Sequence, residues 1–304
     1  MTITDLAKEY KEFINTIAPI EWYQFSLISL NKIVGGKGIK GGRVIQLLGN
    51  KSSGKSSLAL DLIANAQKNG KTCAYIDFEC TYDSDYAAFL GVNADDLIVV
   101  NTDTAENGFM LCEKLVDSGV SLIVIDSIAA PVSKSELDKD LNDNEKMAST
   151  AGLITRFLKR MLPRLRNTGA LLVVINQNRA NISSMPNAKA TKPFGASALQ
   201  FAITLNIELV RIKNGEDETI VQCFTEKNKQ GGKERSKCEI IMSYGEGFDV
   251  AHDVIINALE LGILDKKGNT YYTTIDEVEY KAVGMKQAKE KLPIEKLREM
   301  ICNQ

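Results

Sequence analysis

From about residue 41 the chain alternates between two hydrophobic periods. Near-continuous apolar and β-branched runs occur at 44–48, 73–77, 98–100, 122–126 and 171–175, and stretches with apolar positions three and four apart lie between them, 56–67 being one. A strand that is apolar at consecutive positions is covered on both faces, so this alternation predicts a parallel sheet sandwiched between helices. Three further β-rich runs, 202–210, 219–224 and 238–243, follow without intervening helical patterns and are expected to extend the sheet as antiparallel strands. Ahead of the core, Ile3, Leu6, Ala7, Tyr10, Phe13, Ile14 and Ile17 fall on one helical face, with Thr2 placed to cap it. That short helix has to bury its apolar face either on its own core or on a neighbouring subunit. Residues 178–197 are polar and small with two prolines, a long loop of the kind that is functional or disordered. Past Gly247 the pattern becomes a small helix-rich segment. The expected organisation is an N-terminal helical element at 1–25, an α/β core at 26–248 and a small C-terminal α+β subdomain at 249–304.

Composition removes several classes. The 304 residues contain six cysteines, none in a C-x-x-C pair, and a single histidine, His252, which argues against a structural zinc site. Dispersed cysteines of this kind read as buried or free thiols of a reducing compartment. No run of eighteen apolar residues exists and the N-terminus lacks an apolar signal stretch, so the expectation is a cytoplasmic protein without membrane attachment. Net charge is −2 and the pI about 5.7. Any nucleic-acid contact therefore has to come from local segments or from repetition in a polymer.

The strongest local chemistry is Gly49-Asn50-Lys51-Ser52-Ser53-Gly54-Lys55-Ser56, a complete G-x-x-x-x-G-K-[ST] loop after a predicted strand and before a predicted helix. The glycines let backbone N–H groups curl around phosphates and the helix N-terminus adds its dipole. Lys55 is placed for the β- and γ-phosphates and the Ser56 hydroxyl for Mg²⁺; Ser52, Ser53 and Ser57 complete the cradle. The run 122–126 ends in Asp126, the position from which a carboxylate orients Mg²⁺ in phosphate-loop enzymes. Glu79 follows the run 73–77, at the carboxyl end of a strand where active sites of open parallel sheets lie. From spacing alone it is equally a water-activating base or a surface carboxylate.

With these residues in place the chain resembles the bacterial RecA recombinase family, including its phage relatives. The resemblance runs from about Ser26 to Gly247 and is carried by GRVIQLLGNKSSGKSS, GKTCAYIDFECTYDSDYAAFLGV, LIVIDSIAAPVSKSEL, GALLVVINQNR, FGASALQF, EKNK and SYGEG, in the family's order. It implies a RecA-type fold, Mg²⁺-dependent hydrolysis of ATP, and a helical filament on single-stranded DNA that pairs with homologous duplex. It further implies that Glu79 activates water, that Asp83 and Tyr86 hold the adenine, and that Gln177 senses the γ-phosphate and couples it to a DNA loop. Lys227 and Lys229 correspond to a lysine pair that reaches the ATP of the adjacent subunit. The segment 178–196 corresponds to the second DNA loop, with Arg179, Lys189 and Lys192 giving it a charge of +3, and Ile182 to an apolar wedge between base triplets. The first DNA loop falls at about 137–147, ending at Met147. Residues 134–146 hold three lysines and five acids, poor material for phosphate contact.

Some positions depart from the family pattern. Cys80 stands where a histidine usually follows the catalytic glutamate, Gly195-Ala196 replaces a glycine pair, and Asn206 aligns with an interface arginine. The N-terminal polymerisation region is shortened. The family's acidic tail is absent, and residues 285–304 carry five basic and three acidic side chains instead. The implied function is an ATP-dependent recombinase with single-strand-binding and mediator proteins as further candidate partners. Two alternatives share the core: an accessory paralogue that binds ATP and regulates or loads another recombinase, and a hexameric helicase motor.

Overall fold

The computed structural model describes residues 20–137, 148–180, 191–194, 196–215, 218–243, 245 and 247–303. The predicted N-terminal helix at 3–17, the first DNA loop with Met147, and Ile182 and Lys189 lie outside them. In chain order the elements are β1 (Trp22–Tyr23), α1 (Ile28–Val34), β2 (Ile39–Lys40), β3 (Arg43–Gly49), α2 (Lys55–Lys68), β4 (Cys73–Asp77), α3 (Ser84–Phe89), β5 (Leu97–Asn101), α4 (Ala105–Asp117), β6 (Leu122–Asp126), α5 (Lys134–Leu137) and α6 (Ala148–Thr168). They continue with β7 (Leu171–Asn176), β8 (Asn178–Ala180), β9 (Thr191–Pro193), α7 (Ala196–Ala202), β10 (Ile203–Asn214), β11 (Glu218–Asn228), β12 (Lys237–Ser243) and β13 (Gly247–Phe248). The last are α8 (Val250–Glu260), β14 (Asp265–Lys267), β15 (Thr270–Ile275), β16 (Val278–Val283), α9 (Gly284–Lys291) and α10 (Ile294–Cys302).

A nine-stranded sheet in the order β13-β12-β11-β10-β3-β7-β6-β4-β5 forms the centre. Alternate residues of each inner strand go to opposite faces, which is why the apolar runs are continuous. On β4, Cys73 and Tyr75 join a core with Leu58, Leu62 and Ile63 of α2. Ala74 and Ile76 join one with Phe109 of α4 and Phe157 and Met161 of α6. From β10 to β5 the pairing is parallel. The α/β sandwich expected from the periodicity is the one observed.

One expectation is corrected. The run at 202–210 does not open an antiparallel extension: β10 is parallel to β3, and only β11, β12 and β13 reverse direction. The reason is the crossover. Residues 196–202, between the expected loop and the β-rich run and overlapping the ends of both, form α7, and its Leu199 and Ala202 pack into the core with α6. A strand–helix–strand crossover returns the chain in parallel. The same region also holds the short antiparallel pair β8–β9, so the expected structureless stretch is bracketed by structure.

After β13 the chain builds α8, the antiparallel sheet β14–β15–β16 and the helices α9 and α10 around their own apolar cluster, which includes Val254, Leu264, Tyr271 and Leu297. Ile28 of α1 joins this cluster, while Leu30 and Val34 of the same helix join the central core. Helix α1 therefore bridges the two.

Candidate nucleotide site and nucleic-acid loop

The candidate site gathers at the carboxyl ends of β3, β4, β6 and β7. The phosphate-type loop leaves β3 at Gly49 and enters α2 at Lys55, with Gly54 in the left-handed region at φ 90°. No side chain caps α2, so the amides of its first turn point into the loop. A Cβ at Gly49 would lie 2.5 Å from the Leu209 carbonyl oxygen and 2.6 Å from Ser53 Oγ, so the close packing of β3, β10 and the loop requires glycine there. Ser53 is buried, and its hydroxyl has no partner among the described residues.

Lys55 lies over the loop and donates to the Asn50 carbonyl at 2.7 Å. Burial pulls its ammonium below the ordinary lysine value, against the raising influence of Asp126 and Glu79. Ser56 donates to Asp126 Oδ2 at 2.6 Å, bringing the two predicted metal residues together from α2 and β6. Burial pushes the Asp126 carboxyl up, the Ser56 and Tyr75 hydroxyls hold it down, and Glu79 and Asp77 add to the rise. A buried cation and a buried carboxylate each favour their neutral forms. A phosphate chain carrying Mg²⁺ offers the opposite charge to both, and the orphaned Ser53 hydroxyl and uncapped amides suit phosphate oxygens. The donor set fits Mg²⁺–ATP.

Glu79 sits just past β4. Its Oε1 accepts from Ser127 Oγ at 2.7 Å and from Gln177 Nε2 at 3.1 Å, leaving Oε2 as the uncommitted oxygen among the described residues. The turn that carries it is fixed by Asp77, whose two oxygens accept from the Glu79 amide at 3.1 Å and the Tyr82 amide at 2.7 Å. Cys80 next to it is exposed. Phe78 enters the opposite core against Gly108, where a Cβ would lie 2.3 Å from the ring, so that helix position has room for glycine alone.

Asp83 caps α3, accepting from the Asp85 and Tyr86 amides, and Tyr86 shares a 2.8 Å hydrogen bond with Ser57 across to α2. The two residues expected to hold the adenine thus stand in one helical turn beside the phosphate loop.

Gln177 is the single residue between β7 and β8. Its amide donates to the side chain of the buried Asn176 at 2.8 Å, and Asn176 Nδ2 donates to the Phe194 carbonyl at 3.0 Å. Both ends of the candidate DNA loop are therefore tied to the pair Asn176–Gln177, of which Gln177 donates to Glu79. Arg179 and Lys192 face each other in backbone register on β8 and β9.

The structure does not bring Lys227 and Lys229 to this site. Lys227 is opposite Asn206, which pairs with Gln46. Gly49 lies three residues further along β3, about 10 Å at 3.3 Å per residue. Lys229 lies at the very start of β3, donating its amide to Thr204 and accepting from the Arg43 guanidinium through its carbonyl. Burial and then Lys229 lower the Lys227 ammonium from its ordinary value, and Nζ donates to the Gln200 carbonyl at 2.5 Å. Next to Gln200, Phe201 is 87 % exposed.

Sequence reasoning missed Asp77, Ser127, Asn176 and Tyr75. Asp77 and Asn176 close apolar runs in polar residues, a signal that was present; Ser127 and Tyr75 had none.

The RecA N-terminal domain family matches residues 7–249. Among curated relatives, Protein RecA of Rickettsia africae is 35% identical over 277 residues, covering 89% of this chain and 78% of the relative. Protein RecA of Rickettsia bellii is 36% identical over 258 residues, covering 83% and 74%. A family match over most of the chain, similarity of this extent, and a mostly parallel sheet carrying a phosphate loop agree: the chain belongs to the RecA family.

Proposed function

We propose that this protein is an ATP-dependent recombinase that forms filaments on single-stranded DNA, pairs them with homologous duplex and hydrolyses ATP under DNA control. The observation that carries this reading is the Gln177–Glu79 hydrogen bond at 3.1 Å. It joins the candidate water-activating carboxylate to the residue from which the candidate DNA loop departs. In this reading Lys55 neutralises phosphate charge, and Glu79 Oε2 takes a proton from the water that attacks the γ-phosphate. Ser56 and Asp126 would hold Mg²⁺, which supplies charge neutralisation at the phosphates. Asp83 and Tyr86 would hold the adenine, and the loop with Arg179, Ile182, Lys189 and Lys192, together with Met147, would hold DNA.

The lysine pair supports an oligomeric site. Standing about 10 Å along β3 from its own phosphate loop at Lys227, and farther at Lys229, it suits the nucleotide of an adjacent subunit, and the exposed Phe201 beside it supplies apolar surface for the contact. The N-terminal element at 1–25, with its expected helix at 3–17, would serve as a second contact, and 249–304 would be a subdomain packed on α1.

Phosphate release measured with and without single-stranded DNA tests the reading. Stimulation by DNA, followed by strand exchange with homologous duplex, is the expected result. Equal rates would overturn the coupling; DNA stimulation without strand exchange would favour the accessory paralogue.

A further inference from the structure

The inference concerns Tyr75 and rests on the nucleotide-site reading of Asp126. By pattern Tyr75 belongs to the core: it is the middle residue of the buried strand β4 and only 3% exposed. Its ring packs against Tyr82 at 5.4 Å between centroids. Packing of this kind requires a ring and no hydroxyl. Yet Tyr75 Oη donates to Asp126 Oδ2 at 2.6 Å.

The register explains the reach. Tyr75 pairs with Val124 on the adjacent parallel strand β6. Asp126 is two residues further on and so on the same face as Val124. Diagonal neighbours across strands lie about 7–8 Å apart at Cα, within reach of a long aromatic side chain. The tyrosine therefore spans from the core to the polar end of the sheet, and its tip meets the one carboxylate there that also accepts from Ser56.

We propose that Tyr75 is a positioning residue of the metal–nucleotide site, holding the Asp126 carboxylate in one rotamer so that its other oxygen faces the Mg²⁺ that Ser56 and Asp126 would hold. Ser56 Oγ and Tyr75 Oη both donate to Oδ2, at 2.6 Å each, and they approach from different elements. Two donors on one oxygen restrain rotation about the carboxylate bond and leave Oδ1 as the oxygen that would be available to the cation. A metal ion would take a lone pair of the Ser56 oxygen, and the Tyr75 hydroxyl would anchor Asp126 independently, from the neighbouring strand. Partners of this outer kind orient ligands and tune metal affinity.

The test uses the full chain with the single change Tyr75→Phe, which keeps the ring and its packing on Tyr82. Binding of a fluorescent N-methylanthraniloyl derivative of ADP is measured first in EDTA and then across a Mg²⁺ titration. The expected result is an unchanged affinity in EDTA and a rise of about tenfold in the Mg²⁺ concentration that half-saturates the magnesium-dependent gain. A second measurement repeats the comparison in an Asp126→Ala background. There Tyr75→Phe is expected to add less than about twofold, because the acceptor through which it acts is gone and coupled residues are non-additive.

An unchanged or lower Mg²⁺ requirement in Tyr75→Phe overturns the proposal. So does an equal shift in both backgrounds, or a loss of affinity in EDTA matching that in Mg²⁺; each would assign the hydroxyl to packing alone. If the parent protein itself fails to bind the nucleotide, the reading of the nucleotide site fails instead, and the two failures are distinct.

Discussion

Two lysines in this chain carry the same formal charge in different surroundings. Lys55 is buried beside Asp126 and Glu79, whereas Lys229 is exposed just past β11. Lys55→Ala removes the cation from the phosphate loop, and a charge-assisted hydrogen bond contributes about 1.5–3 kcal/mol, so nucleotide affinity is expected to fall about 10- to 100-fold in a binding titration. Glu79→Gln keeps the shape and the hydrogen bond with Gln177 while removing the base. It is expected to bind nucleotide as the parent does and to lose about 10²- to 10⁴-fold in turnover. Parent-like hydrolysis by Glu79→Gln would assign the base elsewhere.

At the scale of elements, α1 shows how far apart in sequence a helix and its cap can be. Leu27 at its N-cap offers no side-chain acceptor. Instead Asp253 of α8 accepts from the Ile28 amide at 2.5 Å and the Ser29 amide at 3.3 Å, and Asp61 of α2 accepts from the Ser26 amide at 2.9 Å. Asp253→Ala leaves the buried Ile28 amide and the half-buried Ser29 amide without that acceptor and is expected to destabilise the fold by about 1–3 kcal/mol in urea unfolding followed by circular dichroism. Asp253→Asn retains one acceptor oxygen and is expected to cost less. The β8–β9 element makes a different prediction. Replacing Arg179, Lys189 and Lys192 together by alanine is expected to weaken single-stranded DNA binding and to flatten the log–log salt dependence by about 2, at roughly 0.7 for each phosphate no longer neutralised. A salt slope equal to the parent's would place the phosphate-binding cations elsewhere, with the basic residues of 285–304 the next place to look.

For the whole molecule the decisive feature is the separation of Lys227 from its own phosphate loop along β3. A lysine working on a neighbour's nucleotide has no role before assembly. Lys227→Ala is therefore expected to bind nucleotide as the parent does and to lack DNA-stimulated hydrolysis. Glu79→Gln is expected to be inactive for the opposite reason. Mixing the two inactive proteins on DNA is expected to restore part of the turnover, wherever an intact Glu79 faces an intact Lys227 of the adjacent subunit. A mixture as inactive as either variant alone counts against the arrangement in trans, and full activity of Lys227→Ala alone would leave Lys227 only its bond to Gln200 within its own subunit.

Hydrophobic period and a local loop were enough to determine the sandwich and the phosphate cradle. Both leave a local trace: a strand covered on both faces is apolar throughout, and the loop at 49–56 carries its glycines, lysine and serine in one continuous segment. The C-terminal sheet was less legible because β15 and β16 are largely exposed, with Tyr271, Ile275 and Ala282 as their buried positions, so no run of apolar residues marks them. Strand polarity at β10 was hidden as well, since it depends on α7, a seven-residue helix too short to show a helical period between the expected loop and the β-rich run. Most of the site's chemistry was decided only in three dimensions. Gln177 meets Glu79 across 98 residues, and Tyr75 meets Asp126 across 51. Those meetings follow from which strands are neighbours and in what register, and register is a property of the packed sheet rather than of any segment in it.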